Sequence, residues 1–194
     1  PWGQALISSL LCPTNSGFKT ISSTRNTAFT CYAGTEGYHW WASAGPWATT
    51  SAGTVAERIP ETAGKEFSGI FTQFAIVGIA DIRDGTSCTV MLGEKQLAVD
   101  KFGKTYDDNE PYVSPGWDSE IYRLGSASYP PGPDSQHTSY TNADKNAGSS
   151  RFGSSHPGVF IVGLADGAAR PLGFNIDIEV FRRLCMRSDN LPVS

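Results

Sequence analysis

The sequence contains no apolar run long enough to span a bilayer, no secretory signal peptide and no twin-arginine signal. By itself, this stretch is therefore expected neither to enter nor to cross a membrane. Charge is also scarce: only 18% of the 194 residues are charged, the net charge is −4, and the 15 Lys and Arg are scattered along the chain. Because a phosphate-binding surface needs a basic patch, nucleic acid is not an expected partner.

Glycine and proline, by contrast, are plentiful, with 21 and 12 residues. With the frequent Ser and Thr, this composition is typical of a loop-rich extracellular protein more than of a helical cytosolic enzyme. A chain of 194 residues can bury a sizeable core, and nothing divides it into two apolar halves. The sequence therefore predicts one globular domain over residues 1–194.

Segments rich in β-branched and aromatic residues, bounded by Gly, Pro or Asp, predict strands. They are residues 29–33, 67–74, 75–80, 89–97, 158–164 and 168–172. Helix is scarce, and the best candidate begins after Asp177 as N-cap. Its apolar face would carry Ile178, Phe181, Leu184 and Cys185. The expected fold class is α+β, mostly β, with long loops and few short helices.

The most distinctive motif is His156, followed by nine residues and then by Asp166-Gly167. The uncharged run between them is β-prone, and a second short run follows the Asp-Gly pair. This pattern predicts a β-hairpin with a two-residue turn in which Asp166 and Gly167 take the two left-handed positions. His156 precedes Pro157, which holds it out of the helical region, and we expect it to hydrogen-bond across the start of the strand.

A second block consists of Asp81-Ile82-Arg83-Asp84-Gly85-Thr86-Ser87-Cys88-Thr89 and a strand that ends in Gly93-Glu94. The two blocks, with Leu11-Cys12-Pro13-Thr14 before them and residues 176–187 after them, resemble a large bacterial family of prepilin-like proteins. These type IV pilin-like and type II secretion pseudopilin-like proteins share a processing-associated domain built around His, nine residues and Asp-Gly. Two blocks in the family's order are more specific than either block alone.

The resemblance implies a pilin-like globular domain with an antiparallel sheet. It also implies a structural role for the motif residues His156, Asp166, Gly167, Asp81, Asp84 and Gly85. Family members carry a prepilin signal and a long apolar helix that packs into a filament core. The sequence is thus expected to be the C-terminal globular part of an exported, extracellular or cell-surface protein, with membrane contact only through the missing N-terminal helix.

The four cysteines are Cys12, Cys31, Cys88 and Cys185. No pair lies two to four residues apart, so their spacing does not predict a zinc site. With the exported context that the resemblance implies, disulfides are expected, and we favour Cys12–Cys31 and Cys88–Cys185 among the three pairings. Cys88 and Cys185 both depart from the family pattern, as a jointly acquired bridge would. The alternative is that all four are reduced, buried side chains.

Catalysis is not predicted, although Ser155, His156 and Asp166 together suggest a triad. If one strand joins His156 to Asp166, the two lie roughly 25 to 30 Å apart at about 3.3 Å per residue. Adjacent Ser155 and His156 would point to opposite sides of an extended segment, and the Gly-x-Ser-x-Gly elbow of a nucleophile is absent. We therefore expect no catalytic residues.

No cofactor is expected, but two pairs of aspartates are weak candidates for binding calcium. Asp81 and Asp84 form one, and Asp107 and Asp108 form the other. Neither shows the EF-hand spacing. A turn with self-capping side chains explains the first group, and a solvated loop explains the second.

An aromatic cluster comprises Tyr38, Trp40, Trp41 and Trp47, set among Gly, Ala and Ser. It could stack sugars, dock a neighbouring subunit, or cover the hydrophobic core under a long loop. Two functions follow. The first is a non-enzymatic structural subunit of a pilus-like or pseudopilus-like filament or cell-surface assembly, which contacts itself or other pilin-like subunits. The alternative is an extracellular domain that binds or processes a surface polysaccharide.

Overall fold

The structure is a computed structural model, and it describes residues 30–37, 69–71, 76–97, 122–127, 129–136 and 151–190. The strands are β1 (Tyr32–Gly37), β2 (Val90–Glu94), β3 (Tyr122–Leu124), β4 (Gly132–Pro133), β5 (Gly153–Ser154), β6 (Val159–Leu164) and β7 (Ala169–Gly173). Within the described residues, one α-helix, α1, covers Ile178–Leu184. The mostly β, α+β class predicted from the sequence is confirmed.

Five of the strands form one sheet in the order β3-β1-β2-β6-β7, and β4 pairs with β5 in a separate two-stranded sheet. The pairs β1–β2, β2–β6 and β6–β7 are antiparallel. The pair β1–β3 is parallel, so the prediction of an antiparallel sheet is wrong at this position. A parallel pair needs a long crossover, and residues 38–121 between β1 and β3 supply far more than the dozen or so residues required.

The predicted hairpin is confirmed, because β6 and β7 pair in continuous antiparallel register from Val159–Gly173 to Gly163–Ala169. Its turn differs from the prediction. Leu164 N–H donates to Ala168 O at 2.8 Å, which leaves three residues in the loop. Gly167 has a φ of 88°, whereas Asp166 does not have a positive φ. Gly167 N–H also donates to Leu164 O at 3.0 Å, so the loop combines a β-turn over residues 164–167 with a left-handed glycine. Three-residue hairpin loops of this kind match the twist of the strands.

The core lies between one face of β6 and the helix. Burial alternates along β6, and Phe160, Val162 and Leu164 face inward. The Phe160 ring stacks on Phe174 at 5.8 Å between centroids and meets Phe181 of α1 edge-on at 5.9 Å. The predicted helix is confirmed: the Asp177 carboxylate accepts from the N–H groups of the second and third helical residues, which caps its first turn.

The remaining strand predictions match the structure only in part. Those for 89–97, 158–164 and 168–172 match β2, β6 and β7, while β1 begins later than the predicted 29–33. The strand predicted for 75–80 is wrong, because Ile79–Asp81 form a 3-10 turn. Ile76 is 100% and Ile79 80% exposed, so their β-branched side chains lack the packing that makes such residues favour a sheet. In the strand predicted for 67–74, residues 69–71 form bends and the others lie outside the described ranges.

Across the described ranges, no helix has the length and apolar character needed to cross a membrane.

Candidate functional site

The two motif blocks lie on neighbouring strands. The first runs along β6 into its turn, and the second runs through a loop into β2. Because β2 and β6 are antiparallel, with Val90 opposite Leu164 and Gly93 opposite Val162, the start of each block lies near the end of the other. This produces two polar clusters, one at Asp166 and one at His156, separated by the length of β6.

At the Asp166 end, the two loops are joined by backbone hydrogen bonds. Ala165 N–H donates to Thr89 O at 2.9 Å, and Asp166 N–H donates to Thr86 O at 3.1 Å. The Asp166 carboxylate accepts from Ala168 N–H within its own turn. Asp166 therefore shapes the turn, and the turn is fastened to the Gly-Thr-Ser loop of the second block.

Asp84 connects this loop to the segment after α1, residues 187–190. Its two carboxylate oxygens accept from Asp189 N–H at 2.7 Å and Asn190 N–H at 2.8 Å. In return, Arg83 N–H and Asp84 N–H both donate to Arg187 O. We call this set of contacts the C-terminal clasp. The following Gly85 has a φ of 96°, which favours glycine there.

The calcium candidates are used in local hydrogen bonds where the structure describes them. Asp81 accepts from Gly78 N–H at 2.8 Å, and Asp84 holds the C-terminal clasp. Within the described part of the chain, no three His, Cys, Asp or Glu side chains form a group that could hold a metal ion. Asp107 and Asp108 lie outside the described residues.

At the His156 end, the centre of the cluster is the carboxylate of Glu94, which is only 2% exposed. The paired register of β2 and β6 extends to Gly93 and Val162. At the next position, Glu94 Oε2 accepts from Ile161 N–H at 2.7 Å. Glu94 Oε1 lies 3.2 Å from His156 Nε2. The side chain thus continues the hydrogen bonding between the strands and fixes the imidazole, the contact across the strand that His156 was expected to make.

A second buried carboxylate, Asp134, follows β4 and lies beside this cluster. Its Oδ1 accepts from Leu97 N–H at 2.9 Å, and its Oδ2 accepts from the Ser155 hydroxyl at 2.6 Å. Burial, opposed by these two hydrogen bonds, raises the pKa of Asp134 to about 6. Sequence reasoning missed Asp134, which follows the Pro-rich stretch 130–133. Glu94 was included in the second motif block, but no role was inferred for it from the sequence.

These contacts give Ser155 and His156 different partners. Ser155 donates to Asp134, while His156 meets Glu94, so the two adjacent side chains do not form a nucleophile and base pair. β6 also separates His156 from Asp166. Both carboxylates are buried, whereas Ser155 is exposed and His156 has 22% of its side chain exposed, so these two residues form the solvent-facing side of the cluster.

The predicted Cys88–Cys185 bridge is not formed, and both residues are free thiols. Cys88 is exposed on the loop before β2, whereas Cys185 is fully buried after α1. Burial raises the pKa of the Cys185 thiol far above its usual range. A side chain at Gly125 would overlap Cys185, so this thiol is tightly enclosed. Cys31 is buried at the start of β1, and Cys12 lies outside the described residues, so Cys12–Cys31 stays a prediction.

The aromatic cluster of Tyr38, Trp40, Trp41 and Trp47 also lies outside the described residues. Its role in stacking sugars or docking a subunit stays a prediction.

The C-terminal clasp predicts that Asp84→Ala lowers the free energy of unfolding by about 1–3 kcal/mol, because two backbone N–H groups lose their acceptor. Asp81→Ala, which removes one exposed cap, is the control and should cost less. Chemical denaturation measures both. A calcium-dependent rise in melting temperature that Asp84→Ala abolishes would contradict a purely structural role.

The contacts of Glu94 predict how substitutions at Glu94 and His156 lower the free energy of unfolding. Glu94→Ala leaves Ile161 N–H without its acceptor and should cost about 3 kcal/mol or more, whereas His156→Ala should cost about 1–2 kcal/mol. Glu94→Gln keeps an oxygen for Ile161 and should cost less than Glu94→Ala. In a double-mutant cycle, adding His156→Ala to Glu94→Ala should cost little more. Strictly additive losses would show that the two side chains do not interact.

The chain matches the family model described as "Protein of unknown function (DUF1559)" over residues 1–179. No curated protein and no solved structure matches the chain. The match includes both motif blocks, β1 to β7 and the start of α1. Because it extends over most of the sequence, the chain belongs to the DUF1559 family.

Proposed function

We propose that the protein is a non-enzymatic structural subunit of a pilus-like or pseudopilus-like filament, or of a related cell-surface assembly. In this role it is exported and contacts copies of itself or other pilin-like subunits. The observation that carries the proposal is the structural use of the motif residues: Asp84, Glu94 and Asp166 all accept backbone N–H groups. Because these side chains maintain the fold, we infer that the domain acts through its surface.

The burial of the two carboxylates in this cluster supports the non-enzymatic role. Glu94 and Asp134 are 2% and 1% exposed, so a substrate in solution has little access to either carboxylate. A general acid or base must come within hydrogen-bond reach of the proton it transfers. The contacts made by Ser155 and His156 hold neighbouring segments together, which is what a rigid building block requires.

The edge of the sheet offers a second line of support. β7 is the outer strand beside β6 in the described sheet, and Ala169, Arg170 and Pro171 are exposed. Along an antiparallel pair, residues that hydrogen-bond to the partner strand alternate with residues whose backbone N–H and C=O point away from it. The Leu164–Ala168 hydrogen bond fixes this alternation, so the backbone of residue 171 faces away from β6. Proline has no N–H to offer at this edge, which discourages uncontrolled strand addition. A subunit that packs at high local concentration benefits from such protection.

Localisation provides the direct test, and Cys88 offers a built-in probe. The complete natural protein is produced in its own host, and intact cells are treated with a membrane-impermeant maleimide. We expect labelling at exposed Cys88 and none at buried Cys185. Sheared surface material should contain the protein in filaments visible by electron microscopy.

Cys88→Ser is the matched control and should remove the labelling at that site without removing the protein from the sheared fraction. A protein recovered only as a monomer inside the cell, with Cys88 unlabelled until lysis, would contradict the proposal. Secreted monomer that binds a polysaccharide panel, and loses binding on Trp40→Ala or Trp41→Ala, would favour the glycan alternative instead.

A further inference from the structure

Residues 132–136 form a short segment, here called the strap, which is made of β4 and the 3-10 turn Asp134–Gln136. Two hydrogen bonds hold its first residues: the backbone Gly132 N–H donates to Phe152 O, and the side-chain Gln96 Nε2 donates to Pro133 O. The Asp134 carboxylate then joins the strap to Leu97 after β2 and to Ser155 before β6. One ionisable group therefore links three segments that are distant in sequence.

The surroundings of this group make its charge unfavourable. Asp134 and Glu94 are both nearly completely buried, and the same cluster contains the imidazole of His156. Glu94 from β2 disfavours the ionised form of Asp134, whereas His156 favours it. The cations on the neighbouring segments are Lys95, which follows Glu94, and Arg151, which precedes β5. Two carboxylates that are themselves almost completely buried thus lie in the neighbourhood of one imidazole.

We propose that the Asp134 carboxyl is a proton-operated latch, which holds the strap tightly in mild acid and releases it more readily at neutral pH. In the protonated form, the carboxyl O–H can donate a hydrogen bond to the Ser155 hydroxyl, and the other oxygen still accepts one from Leu97 N–H. After the proton leaves, the same bonds hold a buried negative charge beside Glu94. Opening the strap then returns that charge to water. This device is independent of any filament role.

The direction of the effect follows from linkage. The pKa of Asp134 is raised to about 6 from its ordinary value of 3.8, mainly by burial. Between these two values, the closed strap binds a proton that the opened strap gives up, so closing is favoured at the acid end. The stability of the closed strap therefore falls as pH rises through this window and becomes constant above it.

Amide hydrogen exchange tests the latch in the folded protein. The Leu97 and Gly132 N–H groups report on strap opening, because their acceptors are Asp134 Oδ1 and Phe152 O. After correction for the intrinsic pH dependence of exchange, their opening constants should rise roughly tenfold or more between about pH 4.5 and about pH 7.5. Asp134→Asn imitates the protonated form and should abolish most of this rise.

Asp166→Asn is the matched control, because Asp166 lies at the other end of β6 and caps only its own turn. It should leave the wild-type rise intact. Opening constants that stay level or fall with pH in the wild type would overturn the latch, as would an undiminished rise in Asp134→Asn. If that variant does not fold, the ¹³C shift of the wild-type Asp134 carboxyl decides: a midpoint near 6 supports the latch, and one below about 4.5 refutes it.

Discussion

The hydrogen bond between the Glu94 carboxylate and Ile161 N–H is the interaction on which the arrangement of this domain most depends. Beyond Gly93 and Val162, the paired register of the two central strands ends, and the Glu94 side chain receives the next N–H group of β6. A buried backbone donor without an acceptor is costly, so the position requires an oxygen. A carboxylate provides two, and the second one positions His156.

The opposite end of β6 is fixed by the turn, and the turn is fixed by the loop of the second motif block. That loop is in turn held by the C-terminal clasp at Asp84. The two blocks consequently support each other through the sheet, with the Phe160 and Phe181 rings packed on one side of it. His156 and Asp166 belong to this framework as the two ends of one strand. Their spacing of nine residues matches a six-residue strand with a short connection at each end.

Local signals were sufficient for the elements that the sequence predicted well. The β6–β7 hairpin has alternating burial and an Asp-Gly turn, and α1 has an N-cap and an apolar face. The segment predicted as a strand over 75–80 has β composition, but residues 79–81 form a 3-10 turn, because strand formation depends on pairing and packing as well as on composition. The parallel β1–β3 pair and the strap at Asp134 depend on contacts between distant segments. A single sequence contains no periodicity that reports such contacts. Glu94 could have been recognised as a charged residue at the end of a buried strand, which requires a partner.

On this account the two motif blocks maintain the fold, with Glu94 serving as a hydrogen-bond acceptor between strands. Native-state hydrogen exchange at Ile161 tests this most directly, with Val162 as an internal reference, because Val162 lies opposite Arg170 in the β6–β7 hairpin. If Glu94 accepts Ile161 N–H in the folded protein, Ile161 should exchange as slowly as Val162, through global unfolding. Exchange of Ile161 at the rate of an unprotected amide, with Val162 still protected, would contradict the account.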